Sequence, residues 1–414
     1  MQGTPQPGQA PGGSEVTERE THWPAVLAAT FCGVAAAMNI GKLPIALPQL
    51  RAEFGLSLAA AGWLASMFNT MAFTTGVFVG IINGRLGAGR FCALGLFLLI
   101  AGIALGMLGT GASMLLVSRV IEGAGFLAVG VAAPTLVGAA SAPRDRRMAL
   151  SVWSTYMPLG IGSITLLAPF VLSAHGWRGL WALSLLMVIA AALAVHANRG
   201  HYARPPGGGW RLRSIGAALR HPVPWLLALA FSCYTVPFFA IIVWLPTFLT
   251  EQRGLTVTAT AILTAVVILA NMLGNILGGG LVQRHYRLGT LLIVFNLVML
   301  ACSLGIFTDL LPDLARYLLC IALTLLGGVI PACILSSSSI LAKGPEQVGT
   351  LQGLYVQGSN LGQFFGPPIV AGLVSAAGHW NAALPFILAA TLAGMGIGAL
   401  LNWATGNWET RPAD

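Results

Sequence analysis

Apolar stretches of about 20 residues, separated by short polar breaks, run along nearly the whole chain of 414 residues. A membrane-spanning helix needs roughly 20 mainly apolar residues. Spans are expected near 25–47, 58–82, 91–109, 113–139, 150–172, 180–197, 223–247, 257–281, 289–307, 317–341, 351–374 and 382–404. Twelve such helices use about 240 residues, close to the 56% of the chain that is hydrophobic. Charged residues make up 8%, against roughly 25% in soluble proteins, and the mean hydropathy is +0.82. These values exclude an ordinary soluble domain, a disordered chain and a nucleic-acid binder.

The longest interior break, 198–222, is rich in Pro, Gly and Arg and divides the spans six and six. The expected organisation is a disordered cytoplasmic tail over 1–22, a six-helix half over 23–197, a cytoplasmic linker over 198–222, a second half over 223–405 and a tail over 406–414. The tail over 1–22 lacks the apolar core and cleavage site of a signal peptide. With the N-terminus inside, 15 of the 21 Lys and Arg fall in cytoplasmic segments, four in outer loops, and Lys42 and Arg119 inside spans. That asymmetry predicts both termini in the cytoplasm of an inner membrane. The net charge of +9 then needs no anionic macromolecule to explain it.

An internal repeat supports the six-plus-six division. Pro143 to Gly160 and Pro345 to Gly362 are each 17 residues apart, and Trp177 and Trp380 follow those glycines by 17 and 18. Two parallel six-helix halves are one arrangement of membrane carriers, with the solute site between them near the midplane. The six cysteines, all in apolar stretches with no CxxC, read as core residues rather than disulfides or metal ligands. No phosphate-binding or dinucleotide-binding loop is found, so neither an enzyme nor a cofactor is expected.

The loop after the second span reads GIINGRLGAGR, where Gly80, Arg85 and Gly87 fit the G-x-x-x-D-R-x-G pattern of the major facilitator superfamily. Gly84 replaces the acid of that pattern; after the eighth span Gln283 does the same beside a retained Arg284. SRVIEGAG in the fourth span resembles the family's R-x-x-Q-G element, with Glu122 for Gln. The resemblance covers 25–404. WLPTFLTEQRGL and HGWRGLWAL are further similar to the cyanate and nitroimidazole permease branch. It implies an all-α membrane protein of twelve helices in two six-helix pseudo-repeats, working by alternating access. Spans 1 and 4 would line its central cavity, and Arg85 and Arg284 would act at the inner gate.

An ionisable residue inside a span is a functional candidate, because its charge is expensive there. Three qualify: Lys42, Arg119 and Glu122. Lys42 sits beside Asn39 in a stretch that Gly41 and Pro44 are expected to distort, making a place for an anion. The bland alternative is a lysine snorkelling to the interface. Arg119 and Glu122 share a face of the fourth span. They read either as a solute-binding cation and a proton carrier, or as a structural ion pair that leaves Lys42 unmatched. Tyr156, Tyr234, Tyr355, Gln357 and Asn360 are the uncharged binding candidates. Asn69, Asn271 and Asn275 are expected to stitch helices.

The expected activity is secondary transport of a small organic or inorganic anion, or of a polar neutral solute, with Glu122 available for proton coupling. The expected partners are that solute, protons and the lipid bilayer, with a monomeric chain. A drug or metabolite exporter on the same fold, and a non-transporting receptor, are the rivals. Acids facing the cavity would favour a cation exporter.

Overall fold

The computed structural model describes residues 20–202, 219–284, 286–342 and 345–406. Most of the expected tails and the core of the expected linker lie outside the described residues. The described residues are helical throughout, with short turns and no strand. In the first half α1 is Trp23–Phe54, α2 Leu58–Ser66, α3 Thr70–Leu86, α4 Ala88–Met107, α5 Ala112–Ala140, α6 Arg146–Ser154 and α7 Tyr156–Ala197. In the second, α8 is Pro222–Thr247, α9 Val257–Gln283, α10 Leu288–Phe307, α11 Asp313–Gly327, α12 Val329–Leu341, α13 Pro345–Ala377 and α14 Leu384–Gly406. Among the described residues nine helical runs are long and apolar enough to cross a membrane. One of them, Met148–Ala197, holds two expected spans.

The breaks follow local chemistry. α1 starts at a His22 cap, whose ring accepts from the Ala25 amide, and ends at Gly55 with φ +62°. It outruns the expected 25–47 because Pro44 and Pro48 lie inside it without stopping it. A span boundary inside α7 is made by Gly176 (φ 62°, ψ −168°), a conformation glycine adopts without strain. The second expected span is broken at Met67–Asn69, a 3-10 turn between α2 and α3.

The repeat is visible in these caps. Gly55 and Gly254 share φ +62°, and the Ser57 and Thr256 that follow cap α2 and α9 by accepting from the Ala60 and Ala259 amides. Gly176 and Gly378, just before Trp177 and Trp380, are again positive in φ. The halves differ by one residue: Pro48 precedes Gly55 by seven positions, and Pro246 precedes Gly254 by eight. The extra residue falls where α8 widens into a π-helical turn, Phe248–Gln252.

α1 packs along α7, α4 against α5, α8 along α13 and α10 along α14. The halves meet where α13 runs against α2 and α3, α9 against α7, and α8 against α1. Bare glycine backbone makes the first contact close. A Cβ on Gly62 would come within 2.8 Å of the Pro368 Cα, and one on Gly76 within 3.0 Å of the Gln357 Cβ.

Candidate solute-binding site

Three helices of the first half bring the three intramembrane charges together. α5 presents Arg119 and Glu122 one turn apart, and Arg119 Nη1 donates to Glu122 Oε2 at 2.6 Å. α1 presents Lys42, whose Nζ lies 3.1 Å from the same oxygen and donates to Asn39 Oδ1 at 2.7 Å. Arg119 Nη1 also donates to the Asn39 carbonyl at 2.9 Å. α7 supplies Trp181, with the Lys42 ammonium 4.4 Å from its ring centroid. The Arg119 guanidinium lies 4.5 Å from the Phe68 ring. None of the three charged side chains is more than 2% exposed.

Close helix approach makes this cluster possible. A Cβ on Gly102 of α4 would sit 2.8 Å from the Glu122 amide nitrogen, and one on Gly123 of α5 would sit 1.8 Å from the Phe68 carbonyl oxygen. With all three groups ionised, two cations share one acid, and the net charge is +1. Burying such a set is repaid only when each group finds a partner. Four atoms around it have none among the described residues: Glu122 Oε1, Arg119 Nε, Ser118 Oγ and Trp181 Nε1.

Arg119 also reaches the seam between the halves. There Ile40, Leu43, Pro44, Ala65, Phe68, Asn69 and Arg119 face Phe239, Ile242, Val243, Gln363 and Pro367 across a cavity of about 20 Å³. One water needs roughly 10–15 Å³, so there is room here for little more than one. Arg119 is the ionisable side chain in its wall, and no acid lines it. At one end of the seam Arg51 of the first half pairs with Glu251 of the second at 2.5 Å.

Lys42, Asn39, Arg119 and Glu122 are thus brought together. Glu122 meets both cations, so Lys42 is not left apart from the pair, and Lys42 is fully buried, which excludes the snorkelling alternative. The expected distortion of its turn is absent. Helix α1 passes through it, and bare Gly41 lets α7 pack close, a Cβ there falling 2.7 Å from Ile164.

The uncharged candidates lie elsewhere. Tyr156 stacks on Trp153 at 4.4 Å. Tyr234 accepts from Asn271, Tyr355 accepts from Ser337, and Asn360 donates to its own helix at Val356. Gln357 packs against Gly76. None of the five is in the wall of the central cavity. Asn271, which also donates to the Thr324 carbonyl, stitches helices as expected. Asn69, expected to do the same, lines the cavity. Gln363 does so too. The polar run of α13 carries the signal for it, one turn further along the helix than Asn360. Arg85 and Arg284 are exposed at helix ends and make no ion pair among the described residues.

A two-half helical membrane protein with a small cavity at its seam, reached by a buried arginine, has the architecture of a membrane transporter. The profile of the Major Facilitator Superfamily matches residues 29–367, and the chain belongs to that family. It is 26% identical over 392 residues to the "Probable sulfoacetate transporter SauU" of Cupriavidus necator, covering 87% of this chain and 88% of that one. It is 23% identical over 278 residues to the hexuronate transporter of Bacillus subtilis, covering 64% of this chain and 65% of that one. The crystal structure of a bacterial homolog of the human lysosomal transporter Spinster, inward-facing and occupied, shares the fold. Its TM-score is 0.73 at 16% identity, over 94% of this chain and 98% of that one.

Proposed function

We propose that this transporter carries small organic anions, recognised by Arg119 and Lys42 and coupled to protons through Glu122. The observation behind this reading is the buried set of two cations and one acid, with an arginine reaching a cavity whose wall holds no acid. An anion entering the seam competes with Glu122 for the guanidinium. Protonating Glu122 releases both cations, so proton and anion favour each other's binding. Asn39 holds both cations in place, and Asn69 and Gln363 offer amides to the rest of the solute. Two relatives are named for anionic solutes, sulfoacetate and hexuronate, which agrees with this class. The absence of an acid from the wall counts against a cation exporter. With both termini cytoplasmic, the Arg51–Glu251 contact lies on the outer face. There it closes the seam in the state described.

The test is uptake into proteoliposomes under an imposed pH gradient, with sulfoacetate, glucuronate, acetate and a lipophilic cation as solutes. The expected result is uptake of at least one anion, driven by the gradient and lost in Lys42→Met. Uptake of the cation, unchanged in Lys42→Met, would overturn the reading.

A further inference from the structure

The second half holds a cavity that shares no wall residue with the central one. It lies at the Arg51–Glu251 end, among α8, α10, α11, α13 and the turn before α14, and measures about 90 Å³. Since one water needs roughly 10–15 Å³, there is room for a small organic molecule. The wall is aromatic on several sides, from Trp244, Phe248, Tyr317 and Trp380, and it reaches inward to the buried Val370.

Two departures from the repeat meet here. In the first half Trp177 is followed four residues later by Trp181, fully buried and edge-on to Trp177 at 5.2 Å. Trp380 is followed four residues later by Leu384, so the second half lacks that second indole. The extra residue of the second half falls in the turn Phe248–Gln252, which supplies Phe248 to the wall. Single π-helical turns concentrate at functional sites.

The polar end of the cavity holds two arginines, each paired to an aspartate. The guanidiniums of Arg253 and Arg316 lie 5.0 and 5.8 Å from the Phe248 ring centroid. Asp313 is the one acid in the wall, 2.8 Å from Arg253 and 4.0 Å from Arg316; Asp309 meets Arg316 from outside the wall at 3.2 Å. The Arg253 and Asp313 side chains are 35% and 65% exposed, so this end opens to water. Arg316 is 12% exposed, and its Nε donates to the Ile306 carbonyl at 2.8 Å.

We propose that this cavity binds a small aromatic monocarboxylate, its ring among Trp244, Phe248 and Trp380 and its carboxylate toward Arg253 and Arg316. Planar rings pack well against aromatic side chains, and a carboxylate matches the guanidinium fork.

The probe is benzoate, read by thermal shift on the full chain in detergent, with acetate and benzyl alcohol alongside. Wild type is expected to show a saturable shift with benzoate and none with acetate. Filling the cavity by Val370→Phe, or by Ile306→Phe should the first fail to fold, is expected to weaken apparent binding at least tenfold. Arg253→Gln is expected to weaken it severalfold, and Lys42→Ala to leave it unchanged. No shift in wild type, or an undiminished shift in a folded cavity-filled variant, overturns the site. Loss in Lys42→Ala moves benzoate to the central cavity and overturns it equally, without touching the transport reading. An equal shift with benzyl alcohol, undiminished in Arg253→Gln, overturns the carboxylate.

Discussion

Lys42 Nζ and Glu122 Oε2, from two different helices, lie 3.1 Å apart with neither side chain exposed. Because Arg119 bonds that oxygen too, the acid is the hinge of the cluster. Glu122→Gln leaves two buried cations without a counter-charge, an arrangement that costs about 3–5 kcal/mol. Lys42→Met leaves the Arg119–Glu122 pair matched and is expected to stay within about 1–2 kcal/mol of wild type. Thermal unfolding in detergent reads the difference. Equal losses in the two variants would mean that Glu122 does not hold the cluster together.

The approach of α5 to the Met67–Asn69 turn rests on a missing side chain. A Cβ on Gly123 would meet the Phe68 carbonyl oxygen at 1.8 Å, whereas one on Gly130 of the same helix would meet nothing within 4 Å. Gly123→Ala must push the turn away and is expected to cost about 3 kcal/mol or more. Gly130→Ala is expected to be neutral, or to gain up to about 1 kcal/mol of helix propensity. The yield and thermal midpoint of the monodisperse protein, measured side by side, check both. A wild-type-like Gly123→Ala would refute the close approach.

How much of this is legible without coordinates depends on the scale. The apolar periods mark the helices, because each span must be apolar over roughly 20 residues whatever it packs against. The charged candidates stand out for the same reason: Lys42, Arg119 and Glu122 are alone in apolar sequence. Their mutual contact is not legible, since it joins α1 to α5 across 80 residues and depends on glycines at 41, 102 and 123 that set helix separation. The uncharged candidates lie outside the cavity wall. Amides and phenols such as Tyr234 and Asn360 look alike whether they bond a neighbouring helix, their own backbone or a solute. Gln363 differs from Asn360 by one turn of depth along α13, where the helix passes the cavity. The one-residue insertion before Gly254 was present in the sequence, but its meaning needs the π-helical turn.

Arg51 and Glu251 join the two halves at one end, with side chains 23% and 38% exposed. An exposed pair contributes about 0.2–1 kcal/mol, so Arg51→Glu is expected to leave the thermal midpoint nearly unchanged. A contact between moving halves acts instead on their equilibrium, where 1 kcal/mol is about a fivefold change in population. A cysteine placed at Gln49 is expected to react faster with a membrane-impermeant maleimide in Arg51→Glu. The rate is expected to return in the double exchange Arg51→Glu, Glu251→Arg. Unaltered labelling in the single variant would show that the pair does not hold this end closed.

Asp309, in the loop between α10 and α11, titrates below the usual carboxylate range. Asn381 donates to it at 2.8 Å, and the Arg316 and Arg253 charges act in the same direction. A depressed folded-state value means that the ionised carboxylate stabilises the fold. The contribution is complete above the unfolded value of about 3.9 and is lost as pH falls through the folded one. Asn381→Ala removes the largest cause of the shift. The midpoint difference between wild type and this variant is therefore expected to be greatest at neutral pH. It should shrink as the pH is lowered through about 4. A difference that instead grows toward acid would mean that Asn381 favours the protonated carboxyl, reversing the sign of the linkage.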